Sequence, residues 1–158
     1  MARFFEKISF NQFCTDCSCD KALYENYQLP KRSTQHSAGC DFYSLNNITL
    51  KPGESKKIPT GVKANMNDDE VLFLFVRSSM GFKYNIRMCN QVGIIDKDYY
   101  GNPDNDGHIM FAFYNIKEED IEIKKGEAIG QALFQKYLIT DDDKAEGKRM
   151  GGFGSTRK

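Results

Sequence analysis

The 158-residue sequence predicts an all-β fold, a sandwich or jelly roll, on three observations. Short runs rich in β-branched and aromatic residues recur along most of the chain, turns containing Gly or Pro separate them, and no long stretch keeps a helical period. Phe4, Phe5, Ile8 and Phe10 predict a first strand, Leu23 to Tyr27 a short helix, and Leu29-Pro30-Lys31-Arg32-Ser33 a loop. In Ser37-Ala38-Gly39-Cys40 the small residues allow close backbone approach and set Asp41 at the edge. Ile48-Thr49-Leu50 is a strand closed by the turn Lys51-Pro52-Gly53-Glu54. Ser55 to Pro59 leads into another, with a bend at Pro59-Thr60-Gly61-Val62. Val71 to Val76 is continuously apolar, as in a strand buried on both faces, and residues 80–86 suit one helical turn. Ile109 to Tyr114 is the next strand, Ile121 and Ile123 precede a turn at Lys124-Lys125-Gly126-Glu127, and Ala128 to Phe134 is an apolar strand carrying one amide, Gln131. We read residues 1–146 as a β jelly-roll domain with an extended N-terminal segment over 1–35, and residues 147–158 as a flexible, glycine-rich basic arm.

Hydrophobic residues make up 40% of the chain and charged residues 28%, which excludes wholesale disorder. The 22 basic and 22 acidic side chains cancel, so a general nucleic-acid or membrane-surface binder is not expected. No apolar run approaches the roughly 20 residues of a membrane-spanning helix, and nothing near Met1 reads as a signal peptide. A cytoplasmic protein is the expectation. Five cysteines, an odd number, suit free thiols in a reducing compartment. Cys14, Cys17 and Cys19 form a C-x-x-C-x-C cluster that would bind zinc only with a fourth ligand such as His36 or another cysteine.

Chemistry concentrates in Asn90-Gln91-Val92-Gly93-Ile94-Ile95-Asp96-Lys97-Asp98-Tyr99-Tyr100-Gly101-Asn102. Its apolar residues between two glycines read as strands meeting in a hairpin, with Asp96 on the wall of an apolar pocket where desolvation raises a carboxylate's basicity. Tyr99 adds a flat ring and a hydroxyl. Arg77-Ser78-Ser79-Met80-Gly81 offers charge-assisted and backbone donors to a phosphate, and Gln131 an amide. Asp141-Asp142-Asp143 is a solvated charge run. In the arm, cations and hydroxyls suit phosphate and Phe153 suits stacking on a ring.

Five segments in this order resemble the signature of the trimeric dUTP diphosphatase (dUTPase) family: Ala38 to Phe42, Arg77 to Gly81, Gly93 to Tyr99, Gly126 to Gln131 and Gly151 to Thr156, with Ile58 to Val62 between them. The resemblance implies a distorted jelly-roll homotrimer with active sites shared between subunits, each closed by a C-terminal arm. It implies hydrolysis of dUTP to dUMP and pyrophosphate with Mg²⁺ held mainly by the triphosphate. Asp96 would activate a water for attack on the α-phosphorus. Asn90, Gly93 and Ile95 would read uracil, and Tyr99 would pack under the deoxyribose. Arg77, Ser78, Ser79 and Gln131 would hold phosphate, with Asp41 acting on the metal through water. Phe153 would stack on uracil while Gly154, Ser155 and Thr156 contact phosphate.

The chain departs from that pattern in places. Lys148-Arg149-Met150 stands where the arm usually carries Arg-Gly-x, so either Lys148 or Arg149 reaches the γ-phosphate; we favour Arg149 for its bidentate fork. Ser79 replaces a common glycine, Pro103 to His108 looks like an insertion in the hairpin, and the cysteine-bearing N-terminal segment is longer than the family minimum. The homologous dCTP deaminases need a glutamate where this chain has Ala112. A regulatory protein that keeps the fold, with or without turnover and with a protein partner, is the other alternative.

Overall fold

The computed structural model describes residues 3–149 and 151–152. The elements run β1 (Phe4–Lys7), α1 (Phe10–Asp16), α2 (Lys21–Asn26), β2 (Lys31–Arg32), β3 (Cys40–Tyr43), β4 (Ile48–Leu50), β5 (Ser55–Asn65), β6 (Glu70–Val76), α3 (Ser78–Tyr84), β7 (Ile86–Met88), β8 (Gly93–Ile95), a 3-10 turn (Lys97–Tyr99), β9 (Ile109–Asn115), β10 (Ile121–Ile123) and β11 (Ala128–Lys136). Strand predominates, as the Gly/Pro punctuation predicts. Three antiparallel sheets form, ordered β2-β3-β11-β6-β8, β1-β5-β9-β7 and β10-β4.

The core lies between the two larger sheets. Phe42, Leu72, Leu74 and Ala132 from one face Ile58, Phe111 and Phe113 from the other, all nearly inaccessible to water. Phe42 and Phe111 meet edge-on with centroids 5.5 Å apart. Gly130 makes the approach possible: a Cβ there would lie 2.3 Å from the Phe111 ring. Burying a side chain the size of Phe111 contributes roughly 1.5–3 kcal/mol. A smaller cluster of Ile8, Phe13, Leu23 and Leu45 sits under the N-terminal helices, where Phe13 stacks on Tyr27 at 5.4 Å.

Several expectations are corrected. The first strand ends at Lys7, because Ser9 caps a helix by accepting from the Gln12 amide, and Phe10 opens α1 instead of extending β1. Lys31 and Arg32 form a two-residue strand on β3, not a loop. The central stretch is not a hairpin. β8 pairs with β6, Gly93 opposite Leu74 and Ile95 opposite Leu72, while the strand before it and the strand after it, β7 and β9, pair with each other in the other sheet. The segment thus passes from one sheet to the other and back. The cysteine cluster is neither three free thiols nor a metal site: Cys14 and Cys19 are joined in a disulfide, and Cys17, Cys40 and Cys89 are free.

Other features match their sequence signals. Val71 to Val76 lies within β6, although Phe73 and Phe75 leave its second face only half-buried, and the Pro59–Val62 bend is a β-bulge where the β5–β9 register shifts. The bulge releases the Thr60 and Gly61 amides from the ladder, and both donate to His108 Nε2, at 3.2 and 2.8 Å. Past β11 the chain runs exposed through Tyr137, Leu138 and Ile139, with Leu138 97% accessible. Asp141 to Asp143 is likewise exposed. No helix among the described residues is long and apolar enough to cross a membrane.

Candidate functional site

Where β8 crosses toward β9, the two sheets leave a cavity of about 410 Å³. Asn90, Gly93, Ile95, Asp96, Tyr99 and Arg149 line it on one side, and Met88, Met110 and Ala112 on the other. The volume suits a nucleoside-sized ligand, and apolar walls with a few polar groups are the usual make-up of such sites. Gly93 is buried directly against Leu74; a Cβ would sit 2.9 Å from the leucine's Cβ. Gly93 is thus the position of β8 that brings no side chain to the cavity.

Asp96 stands at the mouth. Its side chain is 49% exposed and paired with Arg149 Nη2, so the dry apolar setting expected for it is absent; a guanidinium supplies its nearest partner instead. Arg149 also donates to Asp98 Oδ1 at 2.8 Å and lies 6.0 Å from the Tyr99 ring centroid. One arginine thus spans both acids of the Asp96-Lys97-Asp98 triplet. Lys148 beside it is exposed.

Tyr99 is almost wholly buried, at 5% accessibility. Its hydroxyl donates to the His108 carbonyl at 2.9 Å and accepts from Asn105 Nδ2 at 2.7 Å. Burial pushes its pKa up, and the Asn105 bond and the Arg149 charge only partly oppose that. The hydroxyl expected beside Asp96 is therefore committed to the 105–108 loop. Gly107 lets that loop close: its φ is +77°, and a Cβ would fall 2.4 Å from the Tyr99 carbonyl oxygen. Gly152 packs against the hydroxyl end of the ring, where a Cβ would lie 2.8 Å from Tyr99 Cε2 and 3.2 Å from its hydroxyl oxygen.

His108 is fully buried. With two amides donating to Nε2, its proton resides on Nδ1 and is donated to Asp16 Oδ2 at 2.6 Å. Burial lowers its pKa more than the Asp16 carboxylate raises it, in keeping with a neutral ring. Neither Asp16 nor His108 is marked out by its sequence context. The signal was slight: a histidine in a polar turn, 92 residues from its acid.

The other predicted residues gather elsewhere. Asp41 on β3 lies opposite Gln131 on β11, and Gln131 lies opposite Phe75 on β6. Arg77, just past β6, approaches Asp41 with Nε 3.3 Å from Oδ1, and Ser33 donates to Asp41 Oδ2 at 2.6 Å. Ser78 and Ser79 are exposed in the first turn of α3. None of these five predicted residues lines the cavity. Among the described residues no group of three His, Cys, Asp or Glu side chains could hold a metal ion. Phe153, Gly154, Ser155 and Thr156 lie outside the described residues.

Comparisons with known proteins agree with one another. A family model described as dUTPase matches residues 25–157. A deoxyuridine 5'-triphosphate nucleotidohydrolase of Lactococcus lactis is 48% identical over 130 residues, covering 81% of this chain and 87% of the relative. One from Rickettsia felis is 36% identical over 141 residues, covering 84% and 91%. The crystal structure of dUTPase from Streptococcus mutans superposes with a TM-score of 0.73 at 36% identity, covering 87% of this chain and 98% of that one. A phage phi11 dUTPase, described with a structural Mg(II) ion, gives a TM-score of 0.69 over 93% and 98% of the two chains; at 17% identity that likeness concerns the fold alone.

Proposed function

Since this chain belongs to the dUTPase family, we propose that it hydrolyses dUTP to dUMP and pyrophosphate, with Asp96 as the base that activates the attacking water. The observation that carries this reading is the cavity itself, which unites Asn90, Gly93, Ile95, Asp96 and Tyr99 around a nucleoside-sized space. Backbone groups of β8, with Asn90, would read the uracil edge, and a close fit there would exclude a thymine methyl. The Tyr99 ring would pack under the sugar and crowd a ribose 2′-hydroxyl. On this reading the enzyme limits uracil entry into DNA and supplies dUMP for dTMP synthesis.

Arg77, Ser78, Ser79 and Gln131 would hold the phosphates. They stand apart from the cavity within one chain, which supports a homotrimer whose sites combine the Asp96 side of one subunit with the Arg77 side of another. Arg149, rather than Lys148, would contact the γ-phosphate: it already reaches the cavity mouth, and its fork suits phosphate as well as carboxylate. Phe153 would cover the base and Gly154, Ser155 and Thr156 the phosphates.

The family also implies Mg²⁺. Both Asp41 oxygens have protein partners and no cage of acids gathers among the described residues, so the donor set fits an ion carried by the triphosphate and reached from Asp41 through water. When bound, it would neutralise charge on the phosphate oxygens. This chain's own residues position the nucleotide, take the water's proton at Asp96 and shield the cavity.

The test is pyrophosphate release from dUTP, dCTP, dTTP and UTP with Mg²⁺, with the base product identified. Turnover of dUTP alone is expected; in Asp96→Asn it falls by about a thousandfold or more while dUTP binding persists. Release of ammonia from dCTP would favour a deaminase, a reading that the apolar Ala112 on the cavity wall disfavours. Tight dUTP binding without turnover would favour a regulator.

A further inference from the structure

We propose that Asp16, His108 and Asn105 are positioning residues for Tyr99, and that this brace sets how strongly the enzyme rejects a ribose 2′-hydroxyl. The inference rests on the reading above, in which Tyr99 lies under the sugar of a uridine nucleotide.

A tyrosine ring can swing about two torsions, and a platform that excludes one oxygen atom has to be held against that motion. Here two hydrogen bonds with described residues hold the hydroxyl. It donates to the His108 carbonyl at 2.9 Å and accepts from Asn105 Nδ2 at 2.7 Å, so its direction is fixed by a donor and an acceptor together. The His108 carbonyl is fixed in turn by its own side chain. Nδ1–H donates to Asp16 at 2.6 Å, and Nε2 accepts two amides from the β5 bulge. Asp16 is steadied by the Gln12 side-chain amide, which donates to the same carboxylate oxygen at 2.8 Å. Asn105 is fixed by accepting from the Gly107 amide at 3.2 Å. A chain of bonds therefore links helix α1, the β5 bulge and the 102–108 loop to one phenolic oxygen. Every link is within hydrogen-bond distance, and all are buried or partly buried. The N-terminal helix and the inserted loop, neither of which supplies a group to the reaction, acquire a common purpose in this arrangement.

The brace would act on discrimination more than on chemistry. Asp96 belongs to the turn before Tyr99 and has Arg149, not the brace, as its partner. Loosening the ring would relax the wall under the sugar and leave the base in place.

The experiment measures kcat/KM for dUTP and for UTP in the full-length protein, with Asn105→Ala, Asp16→Asn, Tyr99→Phe and the double variant Asn105→Ala with Tyr99→Phe. A purely structural defect lowers the active fraction and cancels in the dUTP/UTP ratio. The brace predicts that Asn105→Ala narrows that ratio about tenfold, mainly through UTP becoming a better substrate. Asp16→Asn narrows it in the same direction. In the Tyr99→Phe background Asn105→Ala has no further effect, because the hydroxyl through which it acts is gone. An unchanged ratio in a folded Asn105→Ala protein that turns over dUTP would overturn the brace alone, as would a second, independent loss in the double variant. Absence of dUTP turnover in the unmodified protein would remove both the functional reading and the brace.

Discussion

At the scale of single residues, His108 makes folding sensitive to acid. Its ordinary pKa of 6.5 is lowered in the fold, by burial above all, while the Asp16 bond works in the opposite sense. Above pH 6.5 neither folded nor unfolded chain protonates it and its contribution is complete. Below that, the unfolded chain takes up a proton first, so stability falls until the pH passes through the lowered folded value, with a slope of at most about 1.4 kcal/mol per pH unit. Denaturant midpoints at pH 7 and pH 5.5 should differ more for the native protein than for His108→Gln, which lacks the titrating group but loses stability at neutral pH through its broken bonds. Arg149 and Lys148 offer a second contrast. Arg149→Ala is expected to lower kcat/KM for dUTP by about tenfold or more, the value of a charge-assisted contact, and Lys148→Ala by much less. Steady-state kinetics of the two variants checks the order.

Among elements, β11 matters most to the fold because it lies between β3 and β6 and faces β9 across the core. Gly130→Ala would drive a methyl into the Phe111 ring and is expected to cost roughly 1–3 kcal/mol, read as a lower denaturant midpoint with unchanged m-value. Strands such as β4, β6 and β9 were legible in the sequence because an apolar run and a flanking turn are local signals. So was the Pro59–Val62 bend. Phe10 was misread because an aromatic after an alternating run looks like strand, while the cap at Ser9 that starts the helix is a single hydroxyl. The path of β8 was illegible for a different reason. Its partner is β6 and not an adjacent run, and pairing across the sheet depends on the whole register. The same reason separates the candidate site into a legible part and a hidden one. Asp96, Tyr99 and Asn90 are close in sequence and lie around one cavity, whereas Asp16 meets His108 only once α1 has packed beside the β5 bulge.

For the whole molecule, the distance in function between Arg77 and Asp96 is the feature to test. In the proposed homotrimer each site takes those two residues from different chains. Asp96→Asn and Arg77→Ala, each inactive alone, should then regain activity when unfolded together and refolded as a mixture. Random assortment gives about a quarter of the sites both intact residues. Pyrophosphate release from the mixture, set against each variant refolded alone, reads the outcome; no recovery in mixed oligomers would mean that one chain completes its own site. Removal of residues 151–158 is expected to reduce dUTP turnover while leaving the far-ultraviolet circular dichroism spectrum in place, since the two large sheets are complete by Lys136.

Tyr137, Leu138 and Ile139, bare beyond the last strand, bring protein concentration into the question of stability. If neighbouring copies cover that run in the proposed trimer, folding and association become one equilibrium governed by mass action, and the melting temperature climbs as the protein is concentrated. Dilution would then do more than dissociate the assembly. It would return three apolar side chains to water and leave each protomer easier to unfold and readier to aggregate.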